Sequence, residues 1–182
     1  MHLEMETFIR KNRAEIGRLW TKKTLDSYPD RAADFFAKDR NRFSNPVGHH
    51  LREALNCCLD FLVADDTEET DLGPVAEFIK IRSVQEFKPS EAVGFIFGIK
   101  SVLRELAEAG SGEKFPAGDA EWIRVESRVD RLACLVFDLF AENRQKIYEL
   151  RIGEIKRTGF RLLRKAHLLD PDSDPDIDPQ AI

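Results

Sequence analysis

Apolar residues recur along the chain at three- and four-residue intervals, and no stretch shows the two-residue alternation of a half-buried strand. Phe8, Ile9, Ile16, Leu19 and Trp20 predict a helix over residues 3–25, ended by Tyr28-Pro29-Asp30. A short helix over 31–38 would bury Phe35 and Phe36. Asn45-Pro46 is a helix start, because Asn caps orphan amides and Pro is tolerated at the first helical position. That helix is expected to reach Val63 and to bury Leu51, Leu55, Cys58, Leu59 and Leu62. After an acidic loop over 65–73, Pro74 opens the next, reaching about Val84 with Val75, Phe78, Ile79 and Ile81. Residues 90–109 are apolar on nearly every side, which predicts one helix at the centre of the core. Gly94 and Gly98, one turn apart within it, predict a close crossing by a neighbouring helix.

Residues 119–168 contain no proline. As one helix they would run about 75 Å, longer than a compact body of this chain length is wide. The first half carries core-like Val129, Leu132, Leu135, Val136, Leu139 and Phe140. The second half is sparser, with Ile147, Leu150, Ile155, Leu162 and Leu163, and is basic: residues 146–167 hold seven Lys or Arg and two acids. Gly153 and Gly159 each weaken a helix by about 1 kcal/mol relative to Ala and are the places where a bend or an end would fall; the sequence leaves open whether the helix is continuous there. The fold class expected is all-α, a globin-like or irregular helical bundle with a long C-terminal helix. Residues 1–168 would form one domain and 169–182 a disordered acidic tail.

Composition adds an asymmetry. The 182 residues hold 28 Lys+Arg against 33 Asp+Glu, and five of those acids fall in the tail from Asp170 onward. The remaining body balances 28 against 28, which argues against a nucleic-acid binder. No apolar stretch reaches the roughly 18 residues of a membrane span, and the start lacks the pattern of a signal peptide. Three cysteines, Cys57, Cys58 and Cys134, make no disulfide framework, and the cytoplasm is the expected compartment.

Chemistry-bearing clusters are few. His49-His50 and Cys57-Cys58 are the only grouping that resembles metal ligands, but His50 to Cys57 spans about 10.5 Å of helical rise, too far for one ion. No nucleophile-base set and no glycine-rich phosphate loop occurs, so no catalytic residue, metal or cofactor is expected. Charges in apolar surroundings say more. Arg82 lies beside the stripe of Phe78 and Ile79, and Asp138 lies between Phe137 and Leu139. A buried charge is costly unless paired, so each is expected to be partly buried and paired, the other of the two being one candidate partner. Asn45, His49, Arg82, Gln85 and Asp138 form the expected ligand or structural polar cluster. Ile147, Leu150, Arg151, Ile155 and Leu162 are the expected partner or dimer residues, since an exposed apolar stripe is usually covered by symmetric pairing.

Three stretches resemble a known family: Arg42-Phe-Ser-Asn-Pro-Val-Gly48, Ile81-Arg-Ser-Val-Gln-Glu-Phe-Lys-Pro-Ser-Glu-Ala-Val-Gly-Phe95, and Phe137-Asp-Leu-Phe-Ala-Glu-Asn-Arg-Gln-Lys-Ile-Tyr-Glu-Leu-Arg151. The middle one is the most specific. The chain is similar, over most of residues 8–157, to the N-terminal domain of the RsbT co-antagonist protein RsbRD, found in bacterial signalling proteins and as stand-alone forms. The resemblance implies a cytoplasmic sensory input module of the stress response. It implies a globin-like helical fold without haem, a homodimer, and a C-terminal helix that leads to a STAS or kinase partner. Only 14 residues follow Leu168 here, so output is expected to pass through a separate protein or to be absent. The alternatives are a small-ligand or haem-binding globin-like protein, or an accessory or scaffold protein of a redox pathway.

Overall fold

The computed structural model describes residues 3–28, 36, 43–64, 70–85, 87–109 and 119–166. Among these it is all-α, with no strand and a long C-terminal helix. The expected helix over 31–38 and the acidic tail lie outside the described residues, apart from Phe36. The chain divides into two compact units, residues 1–141 and 142–182.

In the first unit, α1 (Leu3–Lys11) and α2 (Arg13–Leu25) replace the single helix expected over 3–25. The interruption is Asn12, whose side-chain amide donates to the Phe8 carbonyl at 2.9 Å. A short amide side chain competes for the local backbone in this way. The Asn12 carbonyl then accepts from Ile16 N–H and starts α2. Helix α1 buries Met5 and Ile9; α2 buries Ile16, Trp20, Thr24 and Leu25. The Met5 amide donates to the Glu121 carboxylate at 3.1 Å, an anion where the helix dipole favours one.

Helix α3 (Pro46–Val63) has the expected bounds. Its N-cap Asn45 is buried; Oδ1 accepts from Gly48 N–H at 2.8 Å and Nδ2 donates to the Phe36 carbonyl at 2.9 Å. At the other end, the Arg128 guanidinium donates to the Phe61 carbonyl at 2.6 Å, meeting one of the four orphan acceptors of a helix terminus. Helix α4 (Gly73–Val84) packs on α3 and buries Val75, Phe78, Ile79, Arg82 and Ser83.

The single central helix expected over 90–109 is divided. It comprises α5 (Pro89–Gly94), a 3₁₀ turn (Phe95–Phe97) and α6 (Gly98–Ala109). The Phe95 carbonyl explains the break: it accepts the buried Trp20 indole N–H at 2.7 Å and also the Gly98 N–H in the tighter 3₁₀ pattern. Gly98 meets the expectation of close approach, since a Cβ added there would touch the Trp20 ring at 3.4 Å. Gly94 does not, because no atom of the described residues lies within 4 Å of its Cβ position. The long helix α7 (Asp119–Lys165) passes through Gly153 and Gly159 without interruption. Its part in the first unit buries Val125, Val129, Leu132, Ala133, Val136 and Phe140. Lys100 to Asp130, 2.6 Å apart, and Arg104 to Glu126 join α6 to it at the surface.

Candidate functional site

Helix α4 turns Phe78, Ile79, Arg82 and Ser83 inward as one stripe. Arg82 is therefore delivered to the core with no exposed surface at all. Its guanidinium carbon stands 4.3 Å from the Phe87 ring centre, 5.1 Å from that of Tyr28, and 5.5 Å from those of Phe78 and Phe95. These rings also support one another edge to face: Tyr28 with Phe87 at 5.1 Å, Tyr28 with Phe36 at 5.3 Å and Phe78 with Phe95 at 5.4 Å. Ring faces carry negative potential, so a cage of four of them partly replaces the water that the cation has lost.

The fork is only partly satisfied. One terminal nitrogen donates to the Ser27 hydroxyl at 2.7 Å, and the other to the Glu91 and Ala92 carbonyls, both at 3.3 Å. Among the described residues the buried Nε has no hydrogen-bond partner. Among the described residues no carboxylate forms an ion pair with Arg82. Burial lowers the guanidinium from its ordinary value, with Tyr28 and then Glu91 opposing. Burial in turn raises the Tyr28 phenol, with Arg82 opposing. The site thus holds an ionic charge in place by ring faces and carbonyl dipoles.

The expected polar cluster is brought together in part. Gln85 joins it, since its Oε1 accepts the Tyr28 hydroxyl at 3.2 Å. Asn45 joins it one step away: it holds the Phe36 carbonyl, and the Phe36 ring abuts Tyr28. His49 shares the first turn of α3 with Asn45, but its Nε2 faces Glu53 at 3.2 Å. His50 faces the same carboxylate, Nδ1 at 3.7 Å. Cys57 donates instead to the Asp71 carbonyl, and Cys58 is enclosed. The expected pairing of Arg82 with Asp138 is corrected: Asp138 is exposed, and the Arg82 donors go elsewhere. Asp138 falls on the solvent side of α7 because Leu132, Val136 and Phe140 define the buried side. Periodicity missed Tyr28, Ser27 and Phe87, which sit in connections outside any helical stripe. The stretch 81–95 that carries the family resemblance nonetheless contains Arg82, Gln85, Phe87 and Phe95 together.

In the second unit, residues 142–165 of α7 present exposed Leu150, Ile155 and Leu162, at 69%, 71% and 62% exposure. Arg151 is exposed and Ile147 half-buried. Tyr148, Ile152, Ile155, Gly159 and Leu162 follow one another at intervals of four, three, four and three residues, the seven-residue repeat of a coiled-coil seam. Leu150 lies about 140° around the helix from Ile155, off that seam.

Among comparisons with known proteins, the family model described as the RsbT co-antagonist protein RsbRD N-terminal domain matches residues 14–154. No curated protein and no solved structure matches the chain.

Proposed function

The chain belongs to the RsbT co-antagonist protein RsbRD N-terminal domain family, a family of regulatory domains in stress-response signalling, and from that premise we propose that it is a non-enzymatic, cytoplasmic sensory input domain of globin-like helical type. It pairs with a second copy along the final helix and passes its state to a separate kinase or STAS-domain protein through the same helix. One observation carries the pairing: the exposed seven-residue repeat of Tyr148, Ile152, Ile155 and Leu162. An apolar seam of that spacing is most economically buried against a copy of itself. Packing differences at the input end would then bias which arrangement of the paired helices is populated.

Light scattering on the full chain tests the reading. The parent is expected to have twice the chain mass, and Ile155→Glu with Leu162→Glu is expected to halve it while leaving the far-ultraviolet circular dichroism helical. A parent that stays at single-chain mass at high concentration would refute the pairing.

A second reading, a small-ligand responder, draws on the unpartnered Nε of the buried Arg82. Visible absorption and mass spectrometry of the native protein would show a retained ligand.

A further inference from the structure

The last turns of α7 carry a ladder of cations. Arg157, Arg161 and Lys165 follow one another at four-residue intervals, so they share one face and stand about 6 Å apart along the axis. All three are exposed. Arg161 donates to the Thr158 hydroxyl at 3.4 Å, and among the described residues none of the three meets a carboxylate. No acid of α7 follows Glu154. A recess of about 430 Å³ lies against this face, lined by Arg157, Phe160, Arg161 and Arg164. Arg157 stands roughly 160° around the helix from Ile155, so the ladder faces away from the apolar seam.

The sequence supplies a matching set of anions. Asp170, Asp172, Asp174, Asp176 and Asp178 occupy every second position, with no Lys or Arg among or after them. In extended backbone, alternate side chains fall on one side about 6.6 Å apart, close to the interval of the ladder. Asp170, Asp174 and Asp178 each precede a proline, which disfavours helical backbone in the residue before it. Arg157 to Lys165 is about 12 Å of helix, and a chain as long as residues 166–178 can span roughly 45 Å, ample to return beside it.

We infer that the acidic segment 170–178 is the occupant of this face: it runs back along α7 of the same chain, with alternate carboxylates on Arg157, Arg161 and Lys165. One exposed ion pair contributes little, but three in register on a short tether act together. The segment is thereby a built-in competitor for any anionic partner of the last turns of α7. Pairing through Ile152, Ile155 and Leu162 uses another face, and the inference does not depend on it.

The test is zero-length carbodiimide coupling, which joins a carboxylate to an amine, on the full chain carrying Arg157→Lys. That change keeps the charge and puts an amine on the ladder. Lys156 projects about 100° away and is the reference amine at the same tether length. Peptide mass mapping should find an aspartate of 172–178 joined to position 157 at least about fivefold more than to Lys156, in a product of single-chain mass. The preference should vanish in about 0.5 M sodium chloride, which screens exposed charges, and on adding Arg161→Glu. The inference is overturned if no such link forms or if the two amines couple alike, since the tether alone would then bring the groups together. It is also overturned if the preference survives salt or Arg161→Glu, or if the link appears only in a product of double-chain mass, which would seat the segment on a second copy.

Discussion

The guanidinium of Arg82 lies 4.3 Å above the ring centre of Phe87; Arg82 belongs to the last turn of α4 and Phe87 to the connection that leads to α5. That contact ties a helix to the connection that follows it. The Ser27 hydroxyl and the Glu91 and Ala92 carbonyls then fix Arg82 to α2's exit and to α5. One side chain therefore fastens three segments, with ring faces in place of a counter-ion.

Arg82→Ala should destabilise the fold by about 3–5 kcal/mol, because it opens a cavity and leaves the Glu91 and Ala92 carbonyls unmet. Arg82→Met, which fills the same volume without a charge to desolvate, should cost much less, about 1–2 kcal/mol. Urea denaturation of both variants checks the order. Equal losses would mean that volume contributes nothing and the hydrogen bonds everything.

Two glycines should respond in opposite directions to alanine. At Gly48 a Cβ would collide with the Asn45 amide and the Phe36 carbonyl, so the N-cap of α3 must give way. Gly48→Ala is expected to cost about 1–3 kcal/mol despite the gain in helix propensity. Gly17→Ala meets no atom of the described residues within 4 Å and should stabilise by about 0.5–1 kcal/mol. Thermal unfolding followed by circular dichroism reads both signs.

Trp20→Phe removes the indole donor from the Phe95 carbonyl and leaves a gap in the core. A loss of about 2–3 kcal/mol is expected. Amide hydrogen exchange should show faster exchange at Gly98 and Ile99, next to the 3₁₀ turn. Unchanged protection there would separate the break in the helix from the indole contact.

Alkaline pH should weaken the fold. Burial raises the Cys58 thiol well above its ordinary 9.0, Cys57 less so, and the Tyr28 phenol above its ordinary 10.0. Each is an acid whose neutral form the folded state favours. Their contribution is complete below the unfolded values and declines as pH rises from about 9 towards the raised folded values. Urea midpoints should be level near neutrality and fall above about pH 9. Cys58→Ala should remove much of the decline relative to its own neutral midpoint.

What the sequence discloses here follows physical range. The bounds of α3 were legible because Asn45 and Pro46 act on their immediate neighbours. The all-α class and the length of α7 were legible from periodicity and the absence of proline. The breaks at Asn12 and at Phe95–Phe97 were not. The second depends on Trp20, 75 positions away, reaching a carbonyl. The ring cage was half legible: Arg82 announced itself as a charge in an apolar stripe, while Tyr28 and Phe87 have meaning only once the chain has turned back on itself. Asp138 misled because a run of apolar neighbours conceals which side of a helix is wet.

The bond from the Met5 amide to Glu121 closes a loop across 116 positions of chain. Shortening the amino terminus past that amide would strip a proton donor from the opening turn of the last helix. A cut made at one extremity of the polypeptide would in that way be felt where the longest helix begins.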